Sequence, residues 1–264
     1  MKDTLRRKCF EIWEENKIVG FLVMLIIDDT AYLKHIYISN SADKEKTFKE
    51  VLGIVLLKLR NDKNIISFDN LAFPFLEDYI SKTFIELGYD ILQRINMILD
   101  PISLDNDKSD NNYLIRQINL EDLKSLATIG SKSYKNSIDF KIDIEKRNIN
   151  SYYEFLKSSY DSYLNKYYSL VLSDLQNNVL AFCLVEDAED KEVIIQDFVV
   201  KENKQNQGIG KIILYETIKQ IKERLFKRII LTVTEENLNA KKIYEDFGFS
   251  FFSRYPVITI EQQS

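Results

Sequence analysis

The sequence is poor in the residues that build metal centres, disulfide frameworks and flexible linkers. Its 264 residues include two cysteines, one histidine, three prolines and seven glycines. Cys9 and Cys183 show no metal-ligand spacing, so we expect no metal site and interpret both as reduced thiols of a cytoplasmic protein. His35, the single histidine, is assigned no catalytic role, and the scarcity of proline and glycine leaves little room for disordered linkers.

Positive charge is also in deficit. The chain carries 36 Lys and Arg against 41 Asp and Glu, a net charge of −5. Nucleic-acid binding needs clustered Lys and Arg, so no nucleic-acid partner is expected, whereas an acidic balance suits a cationic substrate. The basic start at residues 6–8 and the apolar run Ile18 to Ile27 imitate a secretory signal, but glutamates intervene and the run has half of the about 20 residues that span a membrane. We expect a buried strand there and no membrane partner.

Apolar periodicity predicts two halves of mixed α/β structure, and 45% hydrophobic residues suffice for a packed core in each. In the first half we predict strands near 9–14, 18–27 and 31–39, a helix near 43–60, a strand near 64–69, a helix near 74–87 and strands near 89–99. The first helix carries an apolar face formed by Phe48, Val51, Leu52, Val55, Leu56 and Leu59. The polar, acidic residues 101–112 then read as a linker.

The second half repeats this alternation. We predict a strand near 113–118, a helix near 120–133, an aromatic-rich helical region at about 139–166, strands near 168–174, 178–186 and 192–200, a helix from Gly208, a strand at 228–234, a helix at 237–247 and strands to about 260.

Two glycines one residue apart stand where the strand at 192–200 gives way to a helix. The stretch reads Gln205-Asn206-Gln207-Gly208-Ile209-Gly210-Lys211, and glycines at a helix start let an anion approach exposed backbone N–H groups. A P-loop would need glycine in place of Gln205 and Ser or Thr in place of Ile212, and a dinucleotide fingerprint would need a third glycine in place of Ile213. The pattern that remains is Q-x-x-G-x-G.

A second pattern follows about one helix and one strand later. Asn237, Ala240, Tyr244, Gly248 and Phe249 form N-x-x-A-x-x-x-Y-x-x-x-G-F. Together, in this order and separation, the two patterns resemble the acyl-CoA pyrophosphate loop and the following helix of the GNAT superfamily of N-acetyltransferases. The resemblance covers residues from about 112 to 260 and implies an acetyltransferase domain at 113–264.

The first half looks like a worn copy of the second. Gly88 precedes Gly248 by 160 positions, and each glycine ends an amphipathic helix and opens a strand. At the same offset Phe84 replaces Tyr244 and Glu77 replaces Asn237, and no glycine occurs between residues 39 and 49 where the loop would lie. We therefore predict that residues 1–100 form a degenerate GNAT-like domain without the cofactor loop, so that the fold is two α/β (α+β) units, each with a mixed, mostly antiparallel central sheet flanked by helices.

The resemblance also implies the binding of acetyl-CoA. The strand residues Phe198, Val199 and Val200 would hold the pantetheine arm in a gap between splayed strands. The amides of Gln205, Asn206, Gln207, Gly208, Ile209, Gly210 and Lys211 would surround the pyrophosphate. Asn237 would contact the cofactor or cap its helix, and the sequence leaves both roles open.

The same resemblance assigns catalytic roles. Tyr244 would act as general acid toward the departing sulfur, because a phenol with a pKa of about 10 stays protonated at neutral pH. Asp197 is the preferred general base because aspartate is costly in an apolar strand, with a structural aspartate as the alternative. Glu235 and Glu236 are further candidates for the base.

Several aromatic residues could line the acceptor site or simply pack in the core: Tyr152, Tyr153, Phe155, Tyr160, Tyr163, Tyr167 and Tyr168. The leading hypothesis is acetyl transfer from acetyl-CoA to a small-molecule or peptide primary amine through a ternary complex. A non-catalytic acyl-CoA sensor and a purely structural protein are the alternatives, and no oligomeric state follows from the sequence.

Overall fold

The chain forms two compact units. The computed structural model describes residues 6–27, 30–39, 43–61, 67–68, 71–72, 78–86, 90–100, 112–224 and 226–259. One unit consists of Met1–Gln93 and Tyr255–Ser264, and the other of Arg94–Arg254. The second unit thus begins before the predicted linker at 101–112, most of which lies outside the described residues. The assignment of 1–100 and 113–264 as domains stays a prediction.

The first unit contains a small sheet and two helices. Its elements are β1 (Arg6–Glu14), β2 (Lys17–Ile27), β3 (Thr30–Ile38), α1 (Lys44–Asn61), β4 (Ser67–Phe68), β5 (Leu71–Ala72) and α2 (Asp78–Glu86). Strands β1 to β3 pair antiparallel and β4 pairs parallel to β3. The expectation of a buried strand at 18–27 is correct for one face only: Leu22 and Met24 are buried, whereas Ile18 and Phe21 are exposed.

The helices of the first unit pack through aromatic side chains. Phe48 and Phe84 are fully buried, with ring centroids 5.8 Å apart in an edge-on arrangement. Leu52 and Val55 complete the buried face predicted for α1. The side chains of Leu56 and Leu59 lie outside the described residues.

The second unit is built around one large sheet that has helices on both faces. Its elements are β6 (Asp90–Leu99) from Arg94 onward, β7 (Leu114–Gln117), α3 (Leu123–Tyr134), α4 (Ile149–Ser162), β8 (Leu170–Ser173), β9 (Val179–Asp187), β10 (Glu192–Val200), α5 (Ile209–Lys222), β11 (Arg228–Thr234), α6 (Leu238–Asp246) and β12 (Ser250–Thr259) up to Arg254. Two short 3-10 turns, Ile138–Lys141 and Ile144–Arg147, connect α3 to α4.

The sheet of the second unit is mixed and mostly antiparallel, as predicted. Its strand order is β12-β6-β11-β10-β9-β8-β7, and β10 and β11 pair in parallel, whereas β11–β6, β10–β9, β9–β8 and β8–β7 are antiparallel. One core cluster contains the apolar face of α5, including Ile213 and Leu214. The other contains the apolar faces of α3 and α4, including Leu126 and Leu156. Helices therefore cover both faces of the sheet.

The spacing of the elements agrees with the two-copy interpretation. Helices α2 and α6 begin and end 160 positions apart (238 − 78 and 246 − 86), and so do β6 and β12. Phe84 is buried at the position that corresponds to Tyr244. Glu77 and residues 87–89, which the interpretation also uses, lie outside the described residues.

Candidate active site

The pairing of β10 with β11 ends before either strand does. Glu192–Ile195 pair with Arg228–Leu231, but β10 continues to Val200 and β11 to Thr234. The strands therefore separate beyond Ile195. This is the kind of gap in which the resemblance places the pantetheine arm.

A β-bulge on β10 changes which face its residues occupy. Ile195 pairs with Val185 on β9 and Asp197 with Leu184, so that Gln196 is inserted. Ile195 packs in the cluster that contains α5, whereas Asp197 accepts hydrogen bonds from Tyr134 on α3 and Tyr152 on α4. Without the bulge, strict alternation would place Ile195 and Asp197 on one face.

A cavity of about 530 Å³ lies at the gap between the strands. The ends of β10 and β11, the end of α3, the start of α5 and one face of α6 form its walls. The predicted site residues that line it are Asp197, Phe198, Val199, Val200, Gln205, Asn206, Gly208, Gly210, Lys211, Asn237 and Tyr244. Gln207 and Ile209 belong to the same loop but do not line the cavity. The side-chain amide of Gln207 donates to the Asn203 carbonyl, and the side chain of Ile209 is buried.

The loop before α5 exposes a row of backbone donors. Gly208 has a φ of +83° and Asn206 a φ of +60°, and the first helical hydrogen bond runs from the Ile212 N–H to the Gly208 carbonyl over 3.2 Å. The N–H groups of residues 206–211 donate to no other described residue, whereas the Gln205 N–H bonds to Glu202. An α-helix leaves such N–H groups unpaired at its start, where its dipole favours an anion.

Gly210 and the Val200 carbonyl are tightly surrounded. A Cβ added to Gly210 would lie 3.2 Å from the Phe198 ring and 3.3 Å from the Val200 side chain, so glycine is needed for this packing. The Val200 carbonyl accepts hydrogen bonds from Ser133 and from the Gln205 side chain. A ligand would have to compete for that carbonyl.

The phenol of Tyr244 lines the cavity from α6. Its ring packs between Phe198 and Phe249, with ring centroids 6.0 and 5.8 Å away. Burial raises its pKa above the usual value, and the neighbouring Cys183, Asp139 and Asp197 raise it further. Its hydroxyl has no hydrogen-bond partner among the described residues, so a protonated donor faces the cavity.

Asp139 sits at the centre of a polar cluster near the start of α6. The Arg94 guanidinium lies 2.9 Å from one carboxylate oxygen, which also accepts from Thr234. The other oxygen accepts from Asn237 at 2.8 Å and Ser137 at 3.1 Å. The Asn237 oxygen meanwhile accepts from the Ala240 N–H and caps α6. Asn237 therefore acts as the cap, and its contact with a cofactor stays a prediction.

A second polar cluster surrounds Asp197, whose side chain is fully buried. Tyr134 donates to one carboxylate oxygen over 2.6 Å and Tyr152 donates to the other. The Lys146 ammonium lies 3.5 Å from Asp197, 3.1 Å from Asp143 and 3.0 Å from the Tyr134 hydroxyl. Burial raises the pKa of both phenols well above its usual range, and Asp197 adds to this. Burial alone would lower the pKa of Lys146, but Asp143 and Asp197 outweigh it and hold that pKa above its usual value.

The remaining candidates from the sequence lie elsewhere. Glu235 forms an ion pair with Arg254 over 3.3 Å, Glu236 is exposed, and neither lines the cavity. None of the seven aromatic residues at 152–168 lines it either, although Tyr152 reaches Asp197. Their packing interpretation is the one that the geometry favours.

Sequence reasoning missed Arg94, Tyr134, Asp139, Asp143 and Lys146, all of which line the cavity. Four of these residues lie in the segment 134–147, most of which belongs to the helical region predicted at about 139–166. The structure has two 3-10 turns there, and the α-helix begins only at Ile149. An alternation of carboxylates with a lysine and a tyrosine is the sole signal there. Arg94 carries no signal, because its strand belongs to the other half of the sequence.

Comparison with known proteins identifies the class of domain. Residues 139–249 match the model of the Acetyltransferase (GNAT) family. The chain therefore carries a GNAT-family acetyltransferase domain in its second half. That match includes the loop before α5, α6 and both polar clusters except Arg94, Tyr134 and Ser137.

Individual relatives agree with this class. A spermine/spermidine N(1)-acetyltransferase of Bacillus subtilis (strain 168) is 36% identical over 67 residues, which are 25% of this chain and 44% of that relative. The matched segment thus spans less than half of the relative's length. A probable spermine N(1)-acetyltransferase of Bacillus subtilis subsp. natto is 34% identical over a segment of the same length.

Solved structures share the fold over most of the chain. The alignment with a GCN5-related N-acetyltransferase from Sphaerobacter thermophilus covers 94% of this chain and 78% of that protein's chain, with a TM-score of 0.59 and 11% identity. The alignment with a tandem GNAT protein from the clavulanic acid biosynthesis pathway covers 97% of this chain and 83% of that protein's chain, with a TM-score of 0.56 and 10% identity. At these identities the likeness shows the fold alone.

The described residues contain neither a membrane-spanning helix nor a cluster of metal ligands. No helix in the described ranges is long and apolar enough to cross a membrane. No group of three or more His, Cys, Asp or Glu among these residues could hold a metal ion.

Proposed function

We propose that the second unit transfers an acetyl group from acetyl-CoA to a primary amine by direct attack within a ternary complex. The observation that carries this proposal is one cavity with two kinds of unpaired donor in its walls. The residues that line it include Asn206, Gly208, Gly210 and Lys211, whose N–H groups are unpaired among the described residues, and Tyr244 with its hydroxyl. A diphosphate and a leaving thiolate each require such a donor.

The residues of the loop fit acetyl-CoA chemically. Unpaired amides at the start of a helix of 14 residues bind a diphosphate, and the helix dipole adds about 0.3–1 kcal/mol for each favourable charge interaction. Gly208 adopts a left-handed backbone conformation immediately before α5, and Gly210 lets α5 approach Phe198. When bound, acetyl-CoA supplies an acetyl group activated as a thioester.

In the proposed reaction, Tyr244 protonates the sulfur that leaves when the acceptor nitrogen bonds to the acetyl carbon. The raised pKa of Tyr244 keeps the hydroxyl protonated at neutral pH, so the donor is in place before each turnover. Direct attack is the simpler route because the one cysteine in this core is buried, and burial raises the pKa of the Cys183 thiol to about 12. A thiol that stays protonated is a poor nucleophile.

The acceptor must lose a proton before it attacks, because an alkylammonium with a pKa of about 10.4 is neutral in only about one molecule in a few thousand at pH 7. Asp197 as general base stays a prediction, and its hydrogen bonds count against it. Tyr134, Tyr152 and Lys146 stabilise its charged form, which weakens it as a base. We favour Asp143, which bonds Lys146 through Oδ2 while no described donor contacts its Oδ1.

The acceptor is proposed to be a small-molecule or peptide amine. The printed names of the two Bacillus relatives support a small-molecule amine, but they describe proteins that match over 67 residues only. Asp143 and Asp197 outnumber the one cation between them, Lys146, and this local excess of negative charge favours a cationic acceptor. Neither consideration identifies the compound.

The second candidate function is a non-catalytic acyl-CoA sensor. The observation in its favour is that Asp139 and Asp197 already have donors on both carboxylate oxygens. A module with no available base would bind acetyl-CoA without turning it over. This reading loses support if Asp143 serves as the base.

A two-stage experiment tests the proposal. Acetyl-CoA at about 100 times its dissociation constant should stabilise the protein by about 2.7 kcal/mol, which a thermal-shift titration detects. Release of free thiol should then be followed over a panel of amines. Stabilisation without thiol release from any amine would favour the sensor, and the absence of both would remove the proposal.

A further inference from the structure

The ammonium of Lys146 occupies a site built for a cation inside the cavity. Its Nζ lies 3.1 Å from Asp143 Oδ2, 3.5 Å from Asp197 Oδ1 and 3.0 Å from the Tyr134 hydroxyl. The same nitrogen lies 4.4 Å from the centre of the Tyr134 ring. Two carboxylates, a phenol oxygen and an aromatic face are the groups that bind an alkylammonium.

This cation site is buried yet continuous with the cavity. The side chain of Lys146 is 8% exposed and that of Asp197 is not exposed at all, but Lys146, Asp143 and Asp197 all line the cavity. A charged group in such a place must be paired, because desolvation of an isolated ion is costly. The chain therefore supplies its own counter-ion to Asp197.

The charged side chains at this end of the cavity leave one negative charge without a counter-ion. Among the residues that line this end, Asp143 and Asp197 carry two negative charges and Lys146 carries one positive charge. Glu145 also interacts with Lys146 but does not line the cavity. Asp139 is paired with Arg94 and adds no net charge. Oδ1 of Asp143, which no described donor contacts, therefore offers room for one further ammonium.

We propose that Lys146 is a specificity-determining residue. Its ammonium fills the place that the second charged group of a diamine would take. The site therefore accepts amines that carry a single positive charge. This inference rests on the proposed function, which supplies the reaction, and names its substrate class. The reacting ammonium would bind at Asp143 and the uncharged remainder of the acceptor would extend away from Lys146. Diamines and polyamines would bring a second charge that the site has already balanced.

The first test compares a monoamine with a diamine of the same carbon chain and with a longer polyamine. Rates of thiol release are measured with n-butylamine, 1,4-diaminobutane and spermidine for the wild type, for Lys146→Met and for Lys157→Met, a matched control that removes an exposed lysine of α4. The wild type and Lys157→Met should favour n-butylamine over 1,4-diaminobutane in kcat/KM by about tenfold or more. Lys146→Met should lower the KM for 1,4-diaminobutane by about tenfold, with a much smaller change for n-butylamine.

Two results would overturn the inference. The first is a wild type that acetylates 1,4-diaminobutane or spermidine at least as well as n-butylamine, which would leave the proposed function intact. The second is a Lys146→Met variant that loses activity toward both amines by the same factor. If Lys146→Met does not fold, the selectivity of the wild type for n-butylamine over 1,4-diaminobutane decides whether the inference stands.

A second test needs no turnover and so separates this inference from the proposed function. In Lys146→Ala the emptied space should admit n-propylammonium, so that about 0.1 M of its chloride salt raises the melting temperature more than the same concentration of NaCl. The wild type and Lys157→Met offer n-propylammonium only the acceptor place at Asp143, so their rise should be smaller than that of Lys146→Ala and equal in the two proteins. Equal shifts in all three proteins would contradict a cation site at this position, whether or not the protein is an enzyme.

Discussion

Arg94 on β6 and Asp139 on the turn after α3 form an ion pair 2.9 Å long in the wall of the cavity. Both side chains are largely buried, 16% and 11% exposed, and the guanidinium also donates to Thr234 over 3.1 Å. Arg94 precedes the residues at 113–264 that resemble an acetyltransferase. The cavity of the second unit thus depends on a residue that the first half of the sequence supplies.

Removal of this arginine should destabilise the protein. Arg94→Met leaves the Asp139 carboxylate buried without its main counter-ion, and breaking a buried pair in this way costs about 3–5 kcal/mol. Urea unfolding of the second unit measures the loss. The control is Arg254→Met, whose partner Glu235 is at the surface and whose loss should cost at most about 1 kcal/mol. Equal costs for the two variants would contradict the importance of the buried pair.

Replacement of Tyr244 should separate catalysis from binding. Tyr244→Phe keeps the packing against Phe198 and Phe249 but removes the proton donor, so we expect kcat to fall by about 10²–10⁴. The dissociation constant of acetyl-CoA, measured by calorimetry, should change little. Tyr215→Phe on α5, outside the cavity lining, should retain full activity. An unchanged kcat in Tyr244→Phe would remove the residue from the mechanism.

The two glycine positions Gly210 and Gly53 should respond to alanine in opposite ways. At Gly210 the new Cβ would lie 3.2 Å from the Phe198 ring, so α5 must shift and acetyl-CoA affinity should fall by about tenfold or more. At Gly53, inside α1, nothing lies within 4 Å of the added Cβ, and the change should stabilise the protein by about 0.5–1 kcal/mol. Calorimetry and thermal unfolding measure the two effects. Unaltered affinity in Gly210→Ala would count against the loop as the diphosphate site.

The network around Asp197 should make the protein sensitive to alkali. The folded-state pKa values of Tyr134, Tyr152 and Lys146 are raised, so each group holds its proton more firmly in the folded chain than in the unfolded one. Their contribution is fully present below the unfolded pKa values of about 10 and is lost as the pH rises above them, by about 1.4 kcal/mol per pH unit for each group. Unfolding measured between pH 8 and about 11.5 should show this decline. Tyr134→Phe should reduce its slope, and an identical slope in that variant would exclude Tyr134 from the effect.

Asp143 and Asp197 should differ when each is changed to asparagine. Asp143→Asn removes the proposed proton acceptor, so kcat/KM for the amine should fall by about 10²-fold or more while stability changes less. Asp197→Asn leaves the buried Lys146 without one of its counter-ions and should mainly lower the free energy of unfolding, by about 3 kcal/mol. Thiol release and urea unfolding of both variants check the assignment. A larger activity loss with native stability in Asp197→Asn would restore Asp197 as the base.

The sequence predicts the elements of the second half well because local patterns determine them. The change of apolar period at Gly208 marks the start of α5, and Asn237 marks the start of α6 as a side-chain cap. The loop residues line the cavity as expected, apart from Gln207 and Ile209. These features depend on neighbours within a few positions, which a single sequence displays.

The parts of the site that could not be predicted depend on distant contacts. The bulge at Gln196 directs Asp197 toward Tyr134 and Tyr152, which lie 63 and 45 positions away in the sequence. Lys146 reads as an ordinary charged residue until its burial against Asp143 and Asp197 is known. Strand alternation and helical periodicity contain no information about such pairings.

Each half of the sequence contributes part of its last strand to the other unit. Residues 94–99 of the first half belong to the second unit, and residues from Tyr255 onward belong to the first. Loss of the first half of the sequence would remove β6, the strand beside β11, together with the arginine that neutralises Asp139. The cavity therefore constrains the sequence of the first half at this strand, whatever else the first half does.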